Sequence, residues 1–330
     1  MRVDYGVNLK IKAPFCEETV TLCIKADGFY MRVIVTGGCG FIGSHTVDLL
    51  VEEGHEVLIV DNLVSGTVEN LNRNAHFVNM DIRHEDLIKV FSSFKPDVVY
   101  HLAAQTDVGK SILNPCRDAE HNIVGTISVL ECCRKTGVRK IIYASSAAIY
   151  GKPTYLPIDE GHVCNPASCY GISKYTAEQY ILLYSELYQL NYCILRYSNV
   201  YGKRQSAKGE SGVISIFKKK FESNDVPVIY GNGEQTRDFI YVKDIASANL
   251  DVLEKGCNEV FNVSTGRAVS INDLYVEFCK LFKSDLAPKY EPPRMGDIEH
   301  SVLNNRKMTE KTGWKPQYTL ETGLADYILG

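Results

Sequence analysis

The segment Val33-Ile-Val-Thr-Gly-Gly-Cys-Gly-Phe-Ile-Gly-Ser44 constrains the fold more than any other part of this chain. An apolar run, Val33 to Val35, stops at Gly37, Gly40 and Gly43. A helical pattern follows, with Val47, Leu50 and Val51 at i, i+3, i+4 spacing. A strand that turns directly into a helix gathers free backbone N–H groups and a positive dipole end at one point, which suits a phosphate. Glycines there permit the tight turn, close approach of a pyrophosphate and close packing of helix on strand. The next apolar run, Glu56-Val-Leu-Ile-Val60, ends at Asp61. A carboxylate in that place accepts hydrogen bonds from ribose hydroxyls and repels a 2′-phosphate. The pattern therefore points to a dinucleotide, with NAD favoured over NADP.

The same rhythm continues. Strand patterns at His76–Met80, Asp97–Leu102, Lys140–Ala144 and Tyr192–Arg196 alternate with helical patterns at Asp86–Phe94, Cys116–Gly137 and Tyr170–Leu190. Such alternation predicts an α/β fold with a doubly wound parallel sheet of the Rossmann type. Small residues, Ala103 and Ala104, follow the fourth strand, where a ligand crevice needs room. Beyond Tyr201 the elements shorten, which predicts a smaller C-terminal α/β substrate lobe. The expected organisation is an N-terminal extension over 1–30, a dinucleotide domain over 31–195 and the lobe over 196–330.

Composition narrows the classes of function. The 330-residue chain carries a formal net charge of −4 and no long basic block, which argues against nucleic acid or a membrane surface as partner. No stretch approaches the roughly 18 uninterrupted apolar residues of a membrane helix. Its 11 cysteines are scattered, with no paired spacing of metal-ligand type. They read as buried reduced thiols of a cytoplasmic protein. Asn8–Lys12 and Glu18–Lys25 alternate like a small hairpin and lack the apolar core of a signal peptide. Met31 stands directly before the first strand, so residues 1–30 are expected to be an upstream extension.

Tyr170 and Lys174 stand four apart at the start of the last long helix, on one face. An ammonium beside a phenol favours the phenolate, and a tyrosine so tuned serves as a general base near neutral pH. Ser145-Ser146, at the end of the preceding strand, can supply a hydroxyl to the same oxygen. Tyr-x-x-x-Lys alone is common in a chain with 20 tyrosines; its place after the serines on a nucleotide-binding sheet is what gives it weight.

Taken together these residues resemble the extended short-chain dehydrogenase/reductase family acting on nucleotide sugars, and within it the UDP-glucose 4-epimerases most of all. The resemblance runs over residues 31–326. It is carried by the glycine segment, Asp61-Asn62, Asp81-Ile82, His101-Leu-Ala-Ala104, Ser145-Ser-Ala-Ala-Ile-Tyr-Gly151, Tyr170-Gly-Ile-Ser-Lys174 and Arg196-Tyr-Ser-Asn-Val-Tyr-Gly202. Thr236-Arg-Asp-Phe-Ile-Tyr-Val-Lys-Asp244, Arg294-Met-Gly-Asp297 and Gly313-Trp-Lys-Pro316 complete it. The resemblance implies a catalytic triad of Ser146, Tyr170 and Lys174. It implies an NAD site formed by Gly37, Gly40, Phe41, Ile42, Gly43, Asp61, Asn62, Asp81, Ile82, Ala103, Ala104 and Asn122 together with Tyr170 and Lys174. It assigns Ser146, Asn199, Arg237, Arg294, Asp297 and Ser301 to the UDP-sugar. Guanidinium groups suit a diphosphate and an aspartate suits ribose hydroxyls. The implied reaction inverts C4 through a transient 4-keto sugar, with NAD as a temporary store of reducing equivalents and no net redox.

Relatives that eliminate water place acidic residues after the serine; Ala147 and Ala148 stand there instead, which argues against dehydration. Decarboxylation of a UDP-uronate has no positive signal, and a non-catalytic NAD-sensing scaffold would not need both Tyr170 and Lys174. In this family the position four after Asp297 gates the sugar pocket, and here it is Ser301. A small side chain leaves volume for a 2-acetamido group, so the N-acetylhexosamine pair is an expected second substrate. The long helices near 116–137 and 170–190 form the usual homodimer interface of such proteins.

Overall fold

The structure is a computed structural model that describes residues 10–11, 20–21, 30–205, 212–293 and 298–330. Lys10–Ile11 and Val20–Thr21 pair antiparallel; the rest of the expected N-terminal hairpin lies outside the described residues, as do Arg294 and Asp297.

Seven strands form one parallel sheet: β1 (Arg32–Thr36), β2 (Glu56–Asp61), β3 (His76–Asn79), β4 (Val98–His101), β5 (Lys140–Ser146), β6 (Asn191–Tyr197) and β7 (Glu259–Val263). Their order is β3-β2-β1-β4-β5-β6-β7. The order in which successive strands are laid down reverses across the β1/β4 boundary, and that switch point is where an open sheet of this kind binds its ligand.

Alternate residues of each strand serve opposite faces. Val33, Val35, Val57, Ile59 and Tyr100 pack on one face with Val47 and Leu50 of α1 (Phe41–Glu52). Ile34, Leu58, Val99 and Ile141 pack on the other, against Phe91 of α2 (Leu87–Phe94), Val129 and Leu130, and Ala177 and Ile181. Burial on both faces explains why these strands read as unbroken apolar runs.

The run predicted near 116–137 is helical from Pro115 to Thr136, as α3 (Pro115–Ala119), a π turn at Glu120–Val124 and α4 (Gly125–Thr136). Asn114 caps its start and Pro115 occupies the first turn, where a missing N–H costs nothing. The catalytic-helix candidate is α5 (Cys169–Tyr188), capped by Ser168, whose side chain accepts from the Gly171 N–H.

A division at residue 195 does not follow the sheet. β7 comes from inside the stretch expected to be the lobe, yet pairs along its whole length with β6. Beside it, α6 (Val242–Asp251) packs on α1 through Ile245 and Ala248. The reason is that β6 would otherwise be an edge, and a five-residue strand arriving late in the chain covers it. What remains of the lobe has its own core, centred on Tyr201, Phe217, Phe221, Phe239, Tyr241 and Phe278.

Candidate active site

A cleft of about 1590 Å³ runs along the carboxyl ends of the strands and on between sheet and lobe. At one end its wall is the β1–α1 turn, with Gly37, Gly40, Phe41, Ile42 and Gly43. Gly37 has φ +72°, and a Cβ on it would meet the Ala103 N at 2.7 Å. On Gly43 a Cβ would lie 2.1 Å from the Gly37 carbonyl oxygen, so a side chain at either position would collide with backbone and force the turn out of shape. The turn points the first N–H groups of α1 at this space.

Asp61, at the end of β2, is buried at the wall. Its carboxylate accepts from the Cys39 N–H (3.0 Å) and the Leu63 N–H (2.8 Å). Those two bonds leave further lone pairs for hydroxyls in the cleft. Asn62 donates to Asp81 (3.0 Å), and Arg83 grips the same carboxylate with its backbone N–H, Nε and a terminal nitrogen, at 2.9, 2.8 and 2.8 Å. The Arg83 side chain is the main reason the Asp81 carboxyl sits far below the usual range. Ile82, Ala103 and Ala104 complete that end. Glycines without room for a Cβ, a helix N-terminus and a carboxylate at a strand end fit a dinucleotide, and they fit NAD better than its 2′-phosphate.

Ser146, Tyr170 and Lys174 line the middle of the cleft. Of the two serines only Ser146 keeps its hydroxyl at hand, accepting from the Ala148 N–H (3.2 Å). The Ser145 hydroxyl donates to Glu178 at 2.5 Å. Lys174 is buried; its Nζ donates to the Ala144 carbonyl (2.7 Å) and lies 4.7 Å from the Tyr143 ring centroid. Burial pushes its ammonium down to about 8, against the opposing fields of Asp118 and Glu178. The Tyr170 backbone N–H donates to Ser111 Oγ (3.1 Å), which seats the first turn of α5 on the Val108–Leu113 helix. His101 lies at hydrogen-bond distance from Thr36 (2.8 Å) and Thr126 (2.9 Å). Burial, helped by the Lys174 charge, lowers it to about 3, so it is neutral and ties β1 to α4.

At the far end Asn199 and Arg237 line the lobe side. Asp238, beside Arg237, turns inward and caps the backbone N–H groups of Thr265 and Gly266 at 2.9 and 3.0 Å.

Two expected residues lie off the lining. The Asn122 side chain is consumed: it accepts from the Gln105 N–H (2.8 Å), and its two amide hydrogens are shared among the Gln105 carbonyl (2.9 Å), Asp118 (3.2 Å) and Ser173 (3.0 Å). The π turn aims it inward, so it braces the Gln105 loop against α5 in place of facing the cleft. The Ser301 N–H donates to the Thr236 carbonyl (3.1 Å), which puts Ser301 beside the Arg237 strand and outside the lining. Conversely, Gln105, Asp107 and Asp118, which no sequence motif marks, line the cleft. Glu178 follows Tyr170 and Lys174 at a further spacing of four, a signal the sequence did carry; nothing in the sequence marked Asp118.

Residues 33–264 match the model of the NAD dependent epimerase/dehydratase family. The chain is 48% identical to a protein of Methanocaldococcus jannaschii described as a putative UDP-glucose 4-epimerase, over 88% of this chain and 95% of that one. Its fold superposes with a TM-score of 0.89 on the UDP-glucose 4-epimerase of Thermotoga maritima solved with UDP-glucose (46% identity; 91% of this chain, 98% of that one). With a TM-score of 0.87 it matches the UDP-N-acetylglucosamine 4-epimerase of Methanobrevibacter ruminantium solved with UDP-N-acetylmuramic acid (38% identity; 91% and 97%). The dinucleotide cradle, the Tyr170–Lys174 helix face and these likenesses lead to one assignment: the chain belongs to the NAD dependent epimerase/dehydratase family.

Proposed function

We propose that the protein is an isomerase that inverts C4 of a UDP-hexose, interconverting UDP-glucose and UDP-galactose through a transient 4-keto sugar. The observation that carries this is the lining of one cleft by Ser146, Tyr170 and Lys174 next to the dinucleotide cradle. Tyr170 takes the proton of the sugar 4-hydroxyl and, after the 4-keto sugar has turned over, returns it to the C4 oxygen while the carbon is reduced on its other face. Lys174, one turn along α5, holds the phenolate by its charge. Ser146 donates its hydroxyl to the C4 oxygen, steadying the charge that develops there. NAD, when bound, supplies the reversible oxidation at C4. Gly37, Gly40, Phe41, Ile42 and Gly43 hold its phosphates, Asp61 its ribose, and Asp81 and Ile82 the adenine side. Asn199, Arg237, Arg294 and Asp297 hold the UDP, so that binding energy sits in the nucleotide and the sugar can turn.

The likeness to the acetamido-sugar epimerase favours the N-acetylhexosamine pair as a second substrate, and the small Ser301 side chain beside the lining does not oppose it. The protein acts as a cytoplasmic homodimer, paired through an apolar face that includes Val124 by the π turn and Ile172, Leu183 and Leu187 of α5, all exposed in the single chain.

Purified protein incubated without added NAD with UDP-galactose, and separately with UDP-N-acetylgalactosamine, is expected to form the gluco epimers by NMR. No conversion of either, even with NAD added, would overturn the proposal.

A further inference from the structure

We propose that Asp118 is a positioning residue for the reaction: its buried carboxylate is the counter-charge that keeps the Lys174 ammonium charged beside Tyr170. The inference rests on the reading of Tyr170 as the base and deepens it.

Both groups lie in the wall of the same cleft, Asp118 at 1% exposure and Lys174 at 3%. Among the described residues each has only neutral hydrogen-bond partners. Asp118 accepts through Oδ1 from the side-chain amides of Gln105 (2.8 Å) and Asn122 (3.2 Å), and Lys174 donates to the Ala144 carbonyl (2.7 Å). Among the described residues neither forms a direct ion pair, with the other or with any third group, and the nearest such pair is Arg196–Glu178. A buried charge left to neutral partners is costly, so two opposite ones in one wall, carried on the packed helices α3 and α5, offset one another without direct contact.

The other groups near Lys174 are otherwise engaged. Glu178, on its own helix, gives both oxygens to Arg196 of β6 and one of them also to Ser145. Arg196 therefore reaches the lysine only through Glu178. His101 of β4 is neutral, and Tyr143 of β5 offers a ring face. Of the two carboxylates that oppose the effect of burial on Lys174, Asp118 is the stronger. Its grip is also geometric, because Asn122, which it orients, donates to Ser173, the residue before Lys174.

Asp118→Asn keeps an oxygen for both amide donors and removes only the charge. In lysine-labelled holoenzyme, with Lys174→Met to assign the signal, nitrogen NMR should show the Lys174 titration fall by about one pH unit from its wild-type value. The alkaline limb of the kcat profile should fall with it. An unmoved Lys174 titration would overturn the proposal. Should Asp118→Asn fail to fold, the Asp118→Asn/Lys174→Met double variant, in which both charges leave together, is expected to fold; a double variant that also fails would overturn it. The titration is read without turnover, so it stands apart from the substrate test above.

Discussion

Glu178 and Arg196 form a two-point ion pair inside the protein, with Nε to Oε1 at 3.1 Å and a terminal nitrogen to Oε2 at 2.7 Å. The pair joins α5 to β6 directly behind Ser145. The Arg196 guanidinium also donates to the Tyr150 hydroxyl (2.9 Å) and lies 5.1 Å from that ring's centroid. The catalytic-helix candidate is thus pinned to the sheet at a point two turns beyond Tyr170.

Removing one partner of such a pair leaves the other charge buried and unpaired. Glu178→Gln is expected to cost about 3–5 kcal/mol of stability, read by urea denaturation. A loss below about 1 kcal/mol would mean that water reaches the pair.

Tyr170→Phe removes the hydroxyl of the proposed base and leaves the glycine turn and Asp61 of the NAD cradle in place. The turnover number for UDP-galactose should drop by about 10²–10⁴, while bound NAD, measured after denaturing release, stays at the wild-type amount. Loss of NAD in step with activity would assign Tyr170 to cofactor retention.

Burial lowers Lys174 from an ordinary 10.5 to about 8 in the folded protein. Between those values the unfolded chain binds the extra proton, so this group makes the protein gain stability as pH rises through the window. Activity moves the opposite way. Above about pH 8 the ammonium is lost, the phenolate loses its partner, and kcat should fall with an alkaline midpoint near that value. A kcat profile flat to pH 10 would separate Lys174 from the chemistry.

Gly43→Ala drives a methyl group onto the Gly37 carbonyl at 2.1 Å. The turn must shift, at a cost of about 1–3 kcal/mol, and NAD affinity should fall at least about tenfold by calorimetry. Unchanged affinity would show that the cradle relaxes freely.

Ser301→Tyr tests sugar choice. UDP-N-acetylgalactosamine turnover should fall at least about tenfold with UDP-galactose turnover kept within about twofold. The Ser301 N–H is bonded to the strand that carries Arg237, so a tyrosine side chain there starts beside the lining and has the length to reach into the cleft. Equal turnover of both sugars by the variant would remove position 301 from specificity.

Local features were legible in the chain because their causes are local. Three glycines between an apolar strand and an amphipathic helix need each other's company and nothing more distant, and the helix expected over 86–94 spans Leu87–Phe94. The four-residue spacing of Tyr170 and Lys174 likewise carries its meaning within one helical turn. Tertiary structure decided what depends on residues far apart. It recruited Glu259–Val263 to the sheet edge, because an unpaired strand beside β6 would leave its backbone groups open. It chose Ser146 over Ser145 by giving the latter to Glu178, 33 residues on. It turned Asn122 from the cleft to the Gln105 loop and set Asp118 in the wall with Lys174, 56 positions later in the chain. Hydrophobic periodicity says which side of a helix is buried, but which charge it meets there depends on strand order and packing, and those are set by the whole chain at once.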